Sequence, residues 1–162
     1  TVDDEQRPTS RVVLLKKFTD EGLFFYTNYQ SKKGKDISKN KNVALNFWWR
    51  ELQVQIRING SISKASRSES EEYFNSRPKG SRISAIVSEQ SKEIDSFESF
   101  QKKVQDAIST LKDEEIKLPD HCGMYKIIPQ QIEIWKEGDF RRHERTLFKL
   151  EEKKWIKSYL SP

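Results

Sequence analysis

Two runs rich in β-branched and aromatic residues, Arg11-Val-Val-Leu-Leu-Lys16 and Leu23-Phe-Phe-Tyr-Thr27, flank Thr19-Asp-Glu-Gly22, and this pairing constrains the fold more than any other feature of the chain. Short runs of this composition, broken by a Gly-containing turn, specify a β-hairpin with Gly22 at the turn. Two further strand-like runs follow, Val43 to Trp49 and Gln53 to Ala65. The second alternates Val54, Ile56, Ile58 and, beyond Gly60, Ile62, the period of a half-buried strand. Four strands within 65 residues predict a sheet that closes on itself.

The helical signals are inserted between strands. Ser31 to Lys39 reads as a short helix with Ser31 as N-cap. Ser66 to Ser76 reads as another, with Ser68 and Glu71 as the Ser-x-x-Glu capping pair and Tyr73 and Phe74 on the apolar side. After a loop at Arg77-Pro-Lys-Gly80, Ser81 to Val87 and Phe97 to Leu111 are predicted helices, the latter with apolar residues near helical spacing. Strand patterns return at Tyr125 to Trp135 and in a hairpin of Thr146 to Leu150 with Trp155 to Leu160. Strands, helices and strands again predict a mainly β single domain over residues 1–162, a β-barrel with helical additions.

Composition sharpens this. Only 34% of residues are hydrophobic and 34% are charged, so the core is thin and a second copy of the chain is an expected partner. The formal charge is +5, from 30 basic and 25 acidic residues, but the acidic residues are spread throughout and no nucleic-acid recognition pattern is present. No apolar stretch reaches the length of a membrane span. One cysteine, Cys122, excludes an intrachain disulfide, and with only His121 and His143 beside it no zinc-ligand spacing arises. A reducing, cytoplasmic setting is expected.

Three segments carry candidate chemistry. Ser31-Lys-Lys-Gly34 places a hydroxyl, two ammonium groups and backbone N–H donors at a helix start, which suits a phosphate, and Arg77-Pro-Lys-Gly-Ser-Arg82 does the same. Arg141-Arg-His-Glu-Arg145, shortly after Trp135, offers planar cations beside an aromatic face, a setting for a flat anionic ligand; a charged loop between strands would read the same. No Gly-x-Ser-x-Gly elbow occurs, so difficult chemistry would fall to a cofactor.

At these segments the sequence resembles the pyridoxamine 5′-phosphate oxidase family of flavin enzymes. The resemblance rests on Arg11-Val-Val-Leu-Leu-Lys16, Phe25-Tyr-Thr-Asn28 with Ser31-Lys-Lys33, Gln53-Val-Gln55, Tyr73-Phe-x-Ser-Arg-Pro-x-Gly-Ser81, Val87-Ser-Glu-Gln-Ser91, Ile132-Glu-x-Trp135 and Arg141-x-His-x-Arg145, in family order and spacing. It implies an FMN-binding split β-barrel, homodimeric, with FMN sites at the subunit interface and residues 126–162 as the dimerisation region. Arg11, Val12, Val13, Leu14, Leu15 and Lys16 would line FMN with Tyr26 and Thr27, and Lys32 and Lys33 would bind its phosphate. Gln55, Gln90, Ser91, Trp135 and Arg145 would complete the cofactor site, some of them from the second subunit. Lys16, Tyr73, Arg77 and Ser81 would hold the substrate phosphate, while Arg141 and His143 would position the pyridine ring as the catalytic pair.

The implied reaction oxidises pyridoxamine or pyridoxine 5′-phosphate to pyridoxal 5′-phosphate, with O2 reduced to hydrogen peroxide. Departures bear on the substrate. Lys32 replaces an Arg, Ile86 a Trp, Cys122-Gly-Met-Tyr125 replaces Trp-Gly-Gly-Tyr, and Lys136-Glu137 replaces Gln-Gly. The basic motif reads Arg-Arg-His-Glu-Arg in place of Arg-Leu-His-Asp-Arg. Two alternatives are a split-barrel flavin oxidase of the phenazine-pathway type, whose His-Glu-Arg ending is similar, and a paralogue that binds FMN or pyridoxal phosphate without turnover. The family's N-terminal segment, which helps cover the active site, lies outside a sequence that begins at Thr1.

Overall fold

The computed structural model describes residues 1–113 and 116–162. Seven antiparallel strands form one sheet: β1 (Leu15–Thr19), β2 (Gly22–Asn28), β3 (Asn42–Trp49), β4 (Val54–Lys64), β5 (Cys122–Lys136), β6 (Glu144–Glu151) and β7 (Lys154–Tyr159). Four α-helices are inserted: α1 (Lys32–Lys39), α2 (Arg67–Ser76), α3 (Lys79–Val87) and α4 (Phe97–Thr110). The main path runs β1-β2-β5-β4-β3, and β6, carrying β7, also pairs with β5.

The 15-residue β5 organises the sheet. Along one edge it pairs with β4 through most of its length, while the other edge is shared: Cys122 to Ile127 pair with β2 and Gln131 to Lys136 pair with β6. The outer strands β1 and β3 do not pair with each other. The predicted closure therefore takes the form of a split barrel with helical additions, and a cavity of about 460 Å³ opens between the two edges, walled by Val12, Val13 and Leu15 on one side and Val43, Leu45 and Phe47 on the other.

Alternation along the strands sorts residues between two cores. Leu23, Phe25, Ile58, Ile62, Tyr125 and Ile127 pack with Ile37 of α1 inside the barrel. On the other side, Phe74 and Ile83 of α2 and α3 pack with Ile116, Leu118 and Cys122. Each full burial of a large aliphatic or aromatic side chain contributes about 1.5–3 kcal/mol. Ser31 caps α1 as expected, its hydroxyl accepting from Gly34 N–H.

Three local expectations are corrected. The first strand begins at Leu15 rather than Arg11, because the Arg11 guanidinium donates to Thr1 and Thr9 and draws residues 11–14 off the edge of β2. The capping box of α2 is Ser66 with Glu69, not Ser68 with Glu71; β4 ends at Lys64, and the helix starts at the first Ser-x-x-Glu available after it. Helix α3 begins at Lys79, two residues early, since Pro78 is pre-set for a helix entry.

Candidate active site

The candidate residues fall into two groups at opposite ends of β5. At the first end, α1 packs against β2 and aims Lys33 at the strand. Its Nζ donates to Thr27 Oγ1 (2.8 Å), Ser31 Oγ (3.1 Å) and Gln90 Oε1 (2.8 Å). Lys33 is only 8% exposed, and burial, with the nearby Arg11 charge, lowers its pKa to about 8. All three acceptors are neutral. A buried ammonium without a carboxylate is unfavourable by itself, and a phosphate beside it restores the balance. Arg11, Val12, Val13, Leu15 and Lys33 all line the barrel cavity, whereas Leu14 and Lys16 do not.

Lys32 is placed differently from its neighbour. It is half exposed and bonded to Asp36 (3.2 Å) and Asp3 (3.5 Å). Asp36 is buried and also accepts from Thr1 and Thr9 hydroxyls. Burial opposes its ionisation, but those hydrogen bonds and Lys32 outweigh it and lower the pKa.

Tyr26, next to Thr27 on β2, faces the opposite side of the sheet. There its ring lies 5.3 Å from that of Tyr73, and the Arg77 guanidinium carbon is 4.8 Å from the Tyr26 ring centroid. Lys16 Nζ stands 5.5 Å from the Tyr73 centroid. Burial raises the Tyr26 pKa, so the phenol stays protonated. Arg77 Nη1 and Tyr26 Oη are buried without a hydrogen-bond partner among the described residues, and a buried guanidinium N–H in that condition calls for an anion. Ser81 follows in the first turn of α3. Lys16, Tyr26, Tyr73 and Arg77 are thus brought together, as a phosphate site requires.

At the other end, register aligns Gln55 of β4 with Trp135 of β5, and Trp135 with Arg145 of β6. Partners in register project from one face, so these three form a transverse row on the side away from the isoleucines at 56, 58, 132 and 134. Arg145 Nε donates to Glu133 Oε1 at 2.8 Å and Nη1 to Ser161 O at 2.9 Å. Arg57 also donates to buried Glu133. The Arg145 hydrogen bond leads in keeping the Glu133 pKa low against its burial. His143 lies against Trp135, ring centroids 4.5 Å apart. Gly138 N–H donates to His143 Nδ1 at 3.3 Å, so the neutral imidazole carries its proton on Nε2. Phe140 and Arg141 adopt positive φ of 54° and 62°, a strained turn that leaves both side chains exposed.

Gly123, opposite Thr27, and Trp135 are twelve residues apart on one continuous strand, about 40 Å of contour at ~3.3 Å per residue. Gln90 joins the Lys33 end within the same chain; Ser91, at φ 73°, is exposed beside it. Sequence reasoning missed Glu133, Arg57 and Gly138, which hold Arg145 and His143. The alternation Ile132-Glu-Ile-Trp135 carries the signal for Glu133, since it sets the glutamate on Trp135's face.

Comparison with known proteins follows this layout. The family model described as pyridoxamine 5′-phosphate oxidase matches residues 1–110, and that described as the pyridoxine 5′-phosphate oxidase C-terminal dimerisation region matches residues 123–162. The chain is 44% identical over 162 residues to pyridoxine/pyridoxamine 5′-phosphate oxidase 2 of Hydrogenovibrio crunogenus, covering all of this chain and 76% of that protein. It is 42% identical over 163 residues to pyridoxine/pyridoxamine 5′-phosphate oxidase of Nostoc punctiforme, with the same coverage. Among solved structures, PhzG from Burkholderia lata 383, in complex with tetrahydrophenazine-1-carboxylic acid, superposes with a TM-score of 0.91 at 23% identity, covering all of this chain and 79% of that one. A pyridoxamine 5′-phosphate oxidase-related, FMN-binding protein from Nostoc punctiforme gives a TM-score of 0.80 at 15% identity, with coverage of 100% and 84%. At such identities the two structures share the fold.

Proposed function

The chain belongs to the pyridoxamine 5′-phosphate oxidase family, and from that premise we propose that it is an FMN-dependent oxidase. It converts pyridoxamine or pyridoxine 5′-phosphate to pyridoxal 5′-phosphate, with O2 reduced to hydrogen peroxide. It works in the cytoplasm as a homodimer of one-domain subunits spanning residues 1–162, with residues 126–162 in the dimer contact. The observation that carries this reading is the separation of the site residues: phosphate-binding cations lie at one end of β5, and the ring-binding row lies at the other. A second subunit running the opposite way brings the two ends together, and C2 symmetry then makes two equal sites.

When bound, FMN supplies the two-electron acceptor that the side chains lack, taking a hydride equivalent from the substrate C4′. The chain's own residues bind and orient. Lys33, with Arg11 and a lesser share from Lys32, holds the FMN phosphate. Val12, Val13, Leu15, Thr27 and Gln90, with Ser91, line its near side, whereas Leu14 lies outside that cavity and Tyr26 faces the other side of the sheet, toward Tyr73 and Arg77. Gln55, Trp135 and Arg145 of the other subunit cover the ring, and Glu133 and the Ser161 carbonyl hold the Arg145 guanidinium in place, with its remaining N–H groups left for the ligand. Lys16, Tyr73, Arg77 and Ser81 hold the substrate phosphate. His143, its Nδ1 engaged by Gly138, keeps a donor at Nε2, and Arg141 supplies an exposed cation over the pyridine ring. Holding both phosphates fixes the reacting carbon over the flavin, which converts binding energy into rate.

The test is to purify the protein, record its visible spectrum and add pyridoxamine 5′-phosphate in air. Flavin bands and pyridoxal phosphate formation are expected. Bound flavin without that product favours the split-barrel oxidase with another substrate or the non-catalytic binder. A colourless protein that cannot be reconstituted with FMN overturns the reading.

A further inference from the structure

We propose that Trp48 is a fourth wall residue of the flavin-ring site, a reading that rests on the FMN assignment above. Trp48 pairs in register with Gln55, which pairs with Trp135, which pairs with Arg145. The transverse row therefore has four members across β3, β4, β5 and β6, and the family resemblance accounts for three of them. The Trp48 and Trp135 rings lie 6.2 Å apart between centroids at an interplanar angle of 51°. Since His143 touches the other side of Trp135, three rings form one continuous aromatic surface.

Exposure points the same way. Trp48 is 50% exposed on β3, an outer strand of the sheet path, where charged or otherwise protective residues are the usual choice. An indole gains most from burial against another flat ring. Trp48 has Trp135 beside it and half of its surface exposed, so a planar ligand lying on Trp135 meets Trp48 as well. Trp49 provides an internal comparison: it is 46% exposed, yet pairs with Val54 and projects from the opposite face. In the row, Trp48 acts as a positioning residue. It braces Trp135, and through it His143, while offering apolar area to the ligand ring.

The experiment titrates FMN into the wild-type protein and the W48A, W48F and W49A variants, following the quenching of flavin fluorescence, with sedimentation of each. For W48A, Kd is expected to rise about five- to tenfold, the equivalent of one aromatic contact. W48F should stay within about twofold of wild type, since it keeps a ring. W49A should bind like wild type, and all should remain dimers. If wild type binds FMN and W48A matches it, the wall is overturned alone. The same holds if W49A weakens binding as much as W48A, or if W48A sediments as a monomer, which reassigns Trp48 to the subunit contact. A wild-type chain that takes up no FMN overturns the FMN assignment and the wall with it.

Discussion

The two ends of β5 are built by different means. At the Lys33 end, the groups around the ammonium are fixed inside the chain: a helix cap, a buried ammonium and three neutral acceptors set its geometry before any ligand arrives. At the Trp135 end, Glu133 with its two arginines and His143 on Gly138 are fixed, while Arg141 and Phe140 stand in solvent and Trp48 is half exposed. One end is a preformed pocket around a buried ammonium that lacks a counter-charge; the other is an open surface with exposed aromatics, which on the proposed reading becomes a site when a second subunit covers it.

This contrast predicts that the ends fail differently when broken. R141A should lower turnover with pyridoxamine 5′-phosphate about 100-fold, the effect of losing a charged hydrogen bond made to the reacting substrate, while the FMN Kd moves less than about threefold. Unchanged turnover in steady-state assays would remove Arg141 from the substrate site. K33A should instead weaken FMN binding roughly 30-fold, measured by equilibrium titration, because the proposed phosphate site loses the one buried cation among the described residues.

Mixing the two variants tests whether the ends meet across subunits. After subunit exchange, half the dimers are mixed and each holds one intact site, so turnover should recover to about a quarter of the wild-type value. No recovery after verified exchange means that each site is built within one chain.

A smaller effect comes from pH. The folded pKa of Lys33, about 8, lies below its unfolded value, so FMN affinity should fall several-fold as pH rises from 7 to 9 and the ammonium is lost. The sign for stability is opposite. The unfolded chain binds this proton more tightly, so the FMN-free protein gains stability as pH rises through 8 towards the unfolded pKa, an increment absent in Lys33→Met melting curves. Smallest of all, K32A should change FMN affinity less than about threefold, because Lys32 is already engaged by Asp36 and Asp3. A loss as large as that of K33A would show that Lys32 leaves those carboxylates for the phosphate.

Much of this was legible in the chain. The hairpin around Gly22, the Ser31 cap and the alternation of β4 and β5 follow from local preference and side-chain period, which act over a few residues. The start of β1 was not legible, because Arg11 is drawn away by Thr1 and Thr9 from outside the strand. Nor was the difference between Lys32 and Lys33. Adjacent helical residues point about 100° apart, and only packing decides that one meets carboxylates and the other is buried against Thr27 and Gln90.

The sequence by itself determined the element types, the family and the residues proposed to bind phosphates and a flat ring, because motifs and periodicity are properties of neighbours along the chain. The tertiary structure alone decided that those residues lie at two ends of one strand, that Trp48 joins the row beside Trp135, and that Lys33 is the buried cation. Register and burial are set by contacts distant in sequence, and no local pattern records them.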